Sequence, residues 1–162
     1  MHTNKLELSW DDYFMGIALM SSLRSRDPNS KVGACIVNSR NRIVGIGYNG
    51  FPSGCNDDTL PWESEGEYLD TKYPYVCHAE LNAILNSSGS LDGCRMYLRL
   101  FPCNDCAKAI IQSGIREVVY LGYNRSPDTD MFVAARKLFD MAGVKYRKLE
   151  PDVESLVVDF AT

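Results

Sequence analysis

Apolar residues recur along the chain with two periods, and the change between them sets out the elements. Phe14, Ile17 and Ala18, continued by Ser21, follow helical spacing. Ser9 stands before them as an N-cap, and Asp11 and Asp12 fall in the first turn, where the helix dipole favours anions. Asp27-Pro28-Asn29-Ser30 is turn chemistry, so this helix ends near Arg24. Gly33–Val37 and Ile43–Gly47 are short apolar runs joined by a polar link that includes Asn38-Ser39-Arg40-Asn41, which predicts a hairpin. A glycine-rich loop, Tyr48 to Gly54, leads out of it. From Cys55 to Tyr75 there is no clear period, and Asp57, Asp58, Glu63, Glu65, Glu67 and Asp70 accumulate. Loops of this length within compact domains tend to be lids or binding segments, and a solvated acidic excursion accounts for the composition equally well.

Val76 to Leu85 reads as a helix, and Met96–Leu100 as a strand. Pro102 suits a first helical position, and its helix runs to Gln112 with Gly114 as the residue that stops it. Val118–Leu121 is a strand, Gly122 to Thr129 a loop, and Asp130 to Met141 a helix with Met131, Ala134, Ala135, Leu138 and Phe139 as its apolar stripe. Gly143 closes that helix before a last strand, Val144–Lys148. The tail from Glu150 to Thr162 either docks or frays. Strands alternating with helices after an opening hairpin predict an α/β fold: a three-layer α/β/α sandwich around a five-stranded mixed sheet. The 162 residues form one domain with its core over about residues 9–149.

Composition narrows the setting. The chain is 45% apolar and 23% charged, a soluble globular balance. No apolar run approaches the ~18 residues that span a bilayer, and Met1-His2-Thr3-Asn4-Lys5 lacks the apolar segment of a secretory signal. A cytoplasmic location follows as the default, with no membrane partner and the nucleus as a second possibility. The net charge of −4 and the scattered Lys and Arg leave no basic stripe for nucleic acid. Six cysteines in a chain of this size do not argue for a disulfide framework. Cys35 and Cys94 lie in or beside strands as buried thiols, and Cys55 and Cys77 have no assigned role.

The chemistry concentrates in Pro102-Cys103-Asn104-Asp105-Cys106, taken with His78-Ala79-Glu80. H-x-E followed by P-C-x-x-C is the signature of zinc nucleobase deaminases. Cys103 and Cys106 offer two thiolates at a helix start, where the dipole lowers a thiol pKa, and His78 offers an imidazole. Two thiolates leave zinc formally neutral, so its water is acidified less than at an all-histidine site and a general base matters more. Glu80 is that base; two residues beyond a ligand on a helix, it is rotated away from the metal by ~200°. A closed zinc site with Cys77 as fourth ligand fits less well, because adjacent helical residues point ~100° apart. A redox pair of Cys103 and Cys106 would leave His78 and Glu80 unexplained.

Four longer stretches carry a more specific likeness: Asp27–Ala34, Ile43–Gly50, Tyr73–Ala83 and Phe101–Ala107. They resemble the deoxycytidylate (dCMP) deaminases of the eukaryotic type, within the zinc-dependent cytidine and deoxycytidylate deaminase superfamily. The likeness runs from about Trp10 to Phe160 and departs most in the loop from Gly122 to Thr129. It implies a cytidine deaminase-like fold and hydrolysis of dCMP to dUMP and ammonia, which feeds thymidylate synthesis. It also implies a homohexamer activated by dCTP and inhibited by dTTP. His78, Cys103 and Cys106 match the zinc ligands, Glu80 the proton shuttle, and Ala79 the backbone N–H that meets the cytosine carbonyl. Asn49 matches the asparagine at the deoxyribose hydroxyl; alone, it reads as a left-handed turn residue before Gly50. Tyr123, Asn124 and Arg125 are expected at the 5′-phosphate, Arg125 as the best cation there, with Arg24, Arg26 and Lys31 as alternative phosphate or effector contacts. Gly50, Gly54, Glu63 and Glu65 fall in the regulatory region by position. One Zn²⁺ per subunit is expected, since His2 is the only other histidine; Mg²⁺ would accompany a nucleoside triphosphate effector. Rival readings are a nucleoside or other nucleotide cytosine deaminase of the superfamily, a tRNA or DNA editor, and a non-catalytic nucleotide-binding regulator.

Overall fold

A computed structural model of the chain describes residues 7–161; His2 lies outside them. Ser9 caps the first helix, α1 (Trp10–Ser22), its hydroxyl accepting the Asp12 N–H at 3.1 Å. Then come β1 (Gly33–Val37) and β2 (Ile43–Tyr48), the expected antiparallel hairpin. Asn38 closes its turn through the Arg40 and Arg42 N–H groups, and Asn41 takes the left-handed conformation there (φ 56°). After the long segment from Cys55 to Tyr75 follow α2 (Ala79–Leu85), β3 (Arg95–Leu100), α3 (Asn104–Gln112), β4 (Glu117–Gly122), α4 (Asp130–Ala142) and β5 (Lys145–Lys148).

The five strands form one sheet in the order β2-β1-β3-β4-β5. β1 is antiparallel to β2 and β3, while β3, β4 and β5 run parallel through the crossover helices α3 and α4. Strand period two sorts the side chains between faces. Cys35, Val37, Tyr97 and Val119 pack with Phe14, Met15 and Ala18 of α1. Their neighbours Ala34, Ile36, Met96, Leu98, Val118 and Tyr120 face the other way, with Ala79, Ala83, Ala107, Ile110, Phe132, Ala135 and Phe139 of α2, α3 and α4. These are the three layers expected from the sequence. Fully burying side chains such as Phe14 and Phe139 contributes about 1.5–3 kcal/mol each.

Two helices approach the hairpin at backbone distance. A Cβ on Gly33 would lie 1.9 Å from the Ala18 carbonyl oxygen. One on Gly47 would lie 2.2 Å from the Ala83 nitrogen and 2.5 Å from the Ala79 carbonyl oxygen. α2 is therefore seated on the β2 main chain itself.

The segment from Cys55 to Tyr75 is a series of turns with one 3₁₀ turn, Tyr68–Asp70. Phe51 stacks on Trp62 with ring centroids 4.0 Å apart, and Trp62 Nε1 donates to the Asp57 carbonyl. Asp58, Glu63, Glu65, Glu67 and Asp70 are exposed, whereas Lys72 is buried. Asp57 is half-buried and pairs with Arg26, and the end of the segment reaches the cavity described below. The tail docks at its start, where the Asp152 N–H donates to Asp12 at 3.2 Å, while Val157 and Phe160 are exposed. No helix among the described residues is long and apolar enough to cross a membrane.

Candidate metal centre and cavity

The site lies beyond the carboxyl end of β3, next to β1 where the strand direction reverses, which is the usual crevice of an open α/β sheet. Two helix starts meet there. α3 begins two residues later than Pro102 suggested, at Asn104: Cys103 is the N-cap and Pro102 precedes it. The Cys103 sulfur accepts the Cys106 N–H at 3.5 Å, doing the work of a capping oxygen. α2 likewise begins at Ala79, not Val76. His78 is its N-cap in extended conformation (φ −70°, ψ 156°), and its ring makes no capping bond. Cys77 is held instead by a backbone bridge to Gly50. The helical rotations expected for Cys77 and Glu80 relative to His78 therefore do not apply. Glu80 is the second residue of α2, and Cys77 is left outside the ligand set by that bridge.

His78, Cys103 and Cys106 place their donor atoms within 4.8 Å of one another, and no other such group of three forms among the described residues. His78 Nδ1 lies 3.6 Å from Cys103 Sγ and 3.3 Å from Cys106 Sγ. Tetrahedral zinc, with Zn–S about 2.3 Å and Zn–N about 2.0 Å, separates N from S by about 3.5 Å. The three donors thus fit zinc and leave a fourth position for water or substrate, as catalytic sites do.

The electrostatics fit a site waiting for a cation. Hydrogen bonding from Cys106 and then from His78 outweighs burial and lowers the Cys103 thiol to about 4. The hydrogen bond to Cys103 raises His78 to about 9, against burial. The Cys106 thiol is pushed far up, first by its hydrogen bond to Cys103 and then by burial. Without metal, one negative charge is shared between two sulfurs beside an imidazolium. Glu80, 6% exposed, is raised first by burial, with His78 opposing. A carboxyl that holds its proton more readily than usual suits proton transfer.

A cavity of about 270 Å³ opens onto this centre, lined by His78, Ala79, Glu80 and Cys103. Asn49 and Arg125 also line it. Asn49 is buried without a left-handed backbone, so the turn reading is set aside. Its side chain instead pins the chain before β1, accepting the Val32 N–H at 2.8 Å and donating to the Ser30 carbonyl at 2.9 Å. Tyr123 is not on the wall. It packs against Phe101, Tyr120 and Phe132, and its hydroxyl accepts from Arg136 at 3.4 Å; Asn124 takes the place beside Arg125. Arg24, Arg26 and Lys31 are exposed and off the wall, and Arg26 pairs with Asp57 at 3.3 Å. Gly50 serves the bridge to Cys77, and Gly54 holds a positive φ of 88°; Glu63 and Glu65 are exposed and off the cavity wall, the Glu63 carbonyl accepting the Lys72 N–H at 2.9 Å.

Among the wall residues to which sequence reasoning gave no role in the site, Asp27 and Lys72 carry charge. Asp27 was legible only as a turn former. Lys72 had one signal, being the single cation in the acidic stretch from Cys55 to Tyr75.

Comparison with known proteins agrees with this geometry. The human deoxycytidylate deaminase is 60% identical over 155 residues, covering 94% of this chain and 86% of that protein. A probable deoxycytidylate deaminase of Drosophila melanogaster is 50% identical over 168 residues, covering 99% and 82%. Among solved structures, the dCMP deaminase of cyanophage S-TIM5 in complex with dCMP and dUMP superposes with a TM-score of 0.68 at 32% identity, covering 85% of this chain and 94% of that one. The model of the cytidine and deoxycytidylate deaminase zinc-binding region matches residues 8–122. With its His-Cys-Cys centre, its buried glutamate and its mixed sheet, the chain belongs to the cytidine and deoxycytidylate deaminase family.

Proposed function

We propose that the protein hydrolyses dCMP to dUMP and ammonia. The observation that carries this reading is that one cavity joins the metal centre and Glu80 to Asn49 and Arg125. A cytosine at the centre would leave its sugar and phosphate reaching along a wall that carries an amide and a guanidinium. Of the two long-chain cations lining that wall, Lys72 is committed to Asp27, and Arg125 makes no ion pair among the described residues. Guanidinium geometry suits a phosphate. The human relative and the phage structure with dCMP and dUMP support the same substrate.

His78, Cys103 and Cys106 would hold one Zn²⁺ per subunit, which supplies Lewis acidity that makes water nucleophilic near neutral pH. Ala79, at the first position of α2, has a backbone N–H without an intrahelical acceptor and would donate it to the cytosine carbonyl. Glu80 takes a proton from the attacking water and gives it to ring nitrogen N3 as the C4–O bond forms; it then takes the second proton, from the new C4 hydroxyl, and delivers it to the amino group as the C4–N bond breaks and ammonia leaves. Burial keeps bulk water from competing for that proton.

The dUMP formed would supply thymidylate synthesis in the cytoplasm, in a homohexamer activated by dCTP and inhibited by dTTP. Mg²⁺ enters only as companion of a triphosphate effector. Gly50, Gly54, Glu63 and Glu65 are the proposed effector region.

The test is ammonia release from dCMP and from deoxycytidine by zinc-loaded protein, with and without dCTP. Arg125→Ala should raise KM for dCMP about 10- to 100-fold, a loss of about 1.4–2.7 kcal/mol, and leave deoxycytidine unaffected. Equal rates on both substrates would favour a nucleoside deaminase. No ammonia under either condition would favour a nucleotide-binding regulator.

A further inference from the structure

A buried ion pair sits in the cavity wall, apart from the chemistry above. The side chains of Asp27 and Lys72 are 1% and 8% exposed, with Nζ 2.5 Å from Asp27 Oδ2. Asp27 Oδ1 accepts the N–H groups of Asn29 at 2.8 Å and Ser30 at 3.0 Å. Its Oδ2 also accepts from Asn49 Nδ2 at 3.3 Å. The pair ties the end of the Cys55–Tyr75 segment to the chain before β1, and both to Asn49.

Two backbone groups fix the polarity of Asn49, and Asp27 takes its remaining donor. The Val32 N–H can only donate and the Ser30 carbonyl can only accept, so the amide oxygen and nitrogen cannot be exchanged. Both Nδ2 hydrogens are spent, on Ser30 and Asp27. Oδ1 has spent one lone pair on Val32. Its second lone pair is the one hydrogen-bonding capacity left to the side chain. Asn49 can accept from a ligand, and it cannot donate to one.

We propose that Asp27 and Lys72 are positioning residues that lock Asn49 as an acceptor, so the site recognises its substrate through a sugar hydroxyl that donates. The proposal rests on the dCMP reading, with Asn49 at the deoxyribose hydroxyl. Lys72 neutralises Asp27 and holds its Oδ2 in place. Without Lys72, the buried carboxylate turns to other donors and Nδ2 loses its second acceptor; Val32 and Ser30 still hold the amide's orientation, and one Nδ2 hydrogen is freed to donate to a ligand.

The test compares kcat/KM for three substrates: dCMP, the 2′,3′-dideoxy analogue without the hydroxyl, and the 3′-deoxy-3′-fluoro analogue, which can only accept. Wild-type protein should disfavour both analogues alike, by ~100-fold or more. In Lys72→Met this discrimination should fall at least ~10-fold, with the zinc content unchanged, and Lys72→Arg should restore it. A common drop for all three substrates in Lys72→Met, with their ratios intact, would mean a structural role only and overturn the proposal. So would wild-type turnover of the fluoro analogue as fast as dCMP, and that measurement decides the matter if Lys72→Met does not fold. Wild-type protein inert on dCMP takes down the functional reading and this one with it, whereas turnover with equal rates takes down only this one.

Discussion

Loading the metal-free protein with zinc should release about two protons at pH 7. Each donor must be deprotonated to bind. Cys103, lowered to about 4, is already a thiolate at that pH. His78, raised to about 9, is an imidazolium, and Cys106, pushed far up, is a thiol. One proton leaves each of the last two. Between about pH 5 and 8 the apparent zinc affinity should therefore rise about 100-fold per pH unit, or about 2.7 kcal/mol. The sign follows from what is bound: protons compete with the metal, so affinity climbs as pH rises. Above about 9, where His78 is neutral, the slope should halve. Below about 4, where Cys103 also takes a proton, it should steepen. Calorimetric titration in buffers of contrasting ionisation enthalpy reads the count directly, as the slope of observed heat against buffer ionisation heat. Glu80→Gln should leave the count at two, because Glu80 is not a ligand. Release of fewer than one proton per zinc would refute the shared-charge picture of the two sulfurs.

Glu80→Gln should also lower kcat for dCMP by about 10²–10⁴-fold while keeping one zinc per chain, seen by metal analysis beside steady-state kinetics. Gly47→Ala drives a Cβ to 2.2 Å from the Ala83 nitrogen. A loss of about 3 kcal/mol should lower the melting temperature by about 6–12 °C, and an unchanged melt would refute the close seating of α2. Asp11 is held below the usual carboxylate range, chiefly by its hydrogen bonds from Arg147 and despite partial burial. Its contribution to stability is present above the unfolded-state pKa and is lost as pH falls through the folded one. Asp11→Asn should then lower the melting temperature at neutral pH and flatten its decline in acid.

The layers were legible because a short, wholly apolar run such as Gly33–Val37 reads as a buried strand, whereas Asp130–Met141 carries helical spacing. The metal centre was legible because its donors lie in two short motifs. What the motifs could not show is how the donors are held. His78 and Cys103 are both N-caps with extended backbones, so neither side chain follows the register of the helix it precedes. A helical register extended backwards from Ala79 or Asn104 therefore gives their directions wrongly. Phe132 was passed over in the apolar stripe of α4, although it is buried and Met131 is only partly so. The Tyr123 side chain followed the aromatic cluster around Phe101, a preference that depends on strands and helices far apart in sequence. Asp27 and Lys72 lie 45 positions apart, with a hairpin between them, and nothing local joins them.

The glycines of β2 have a mechanical consequence. Where side chains separate a helix from a sheet, rotamer changes can absorb small displacements. At Gly45 and Gly47 the main chain of α2 rests on the main chain of β2, with no such cushion. The depth at which α2 carries Glu80 into the cavity is set by contact between two backbones, so hydrostatic pressure has little there to compress, and thermal repacking of neighbouring side chains has little to move.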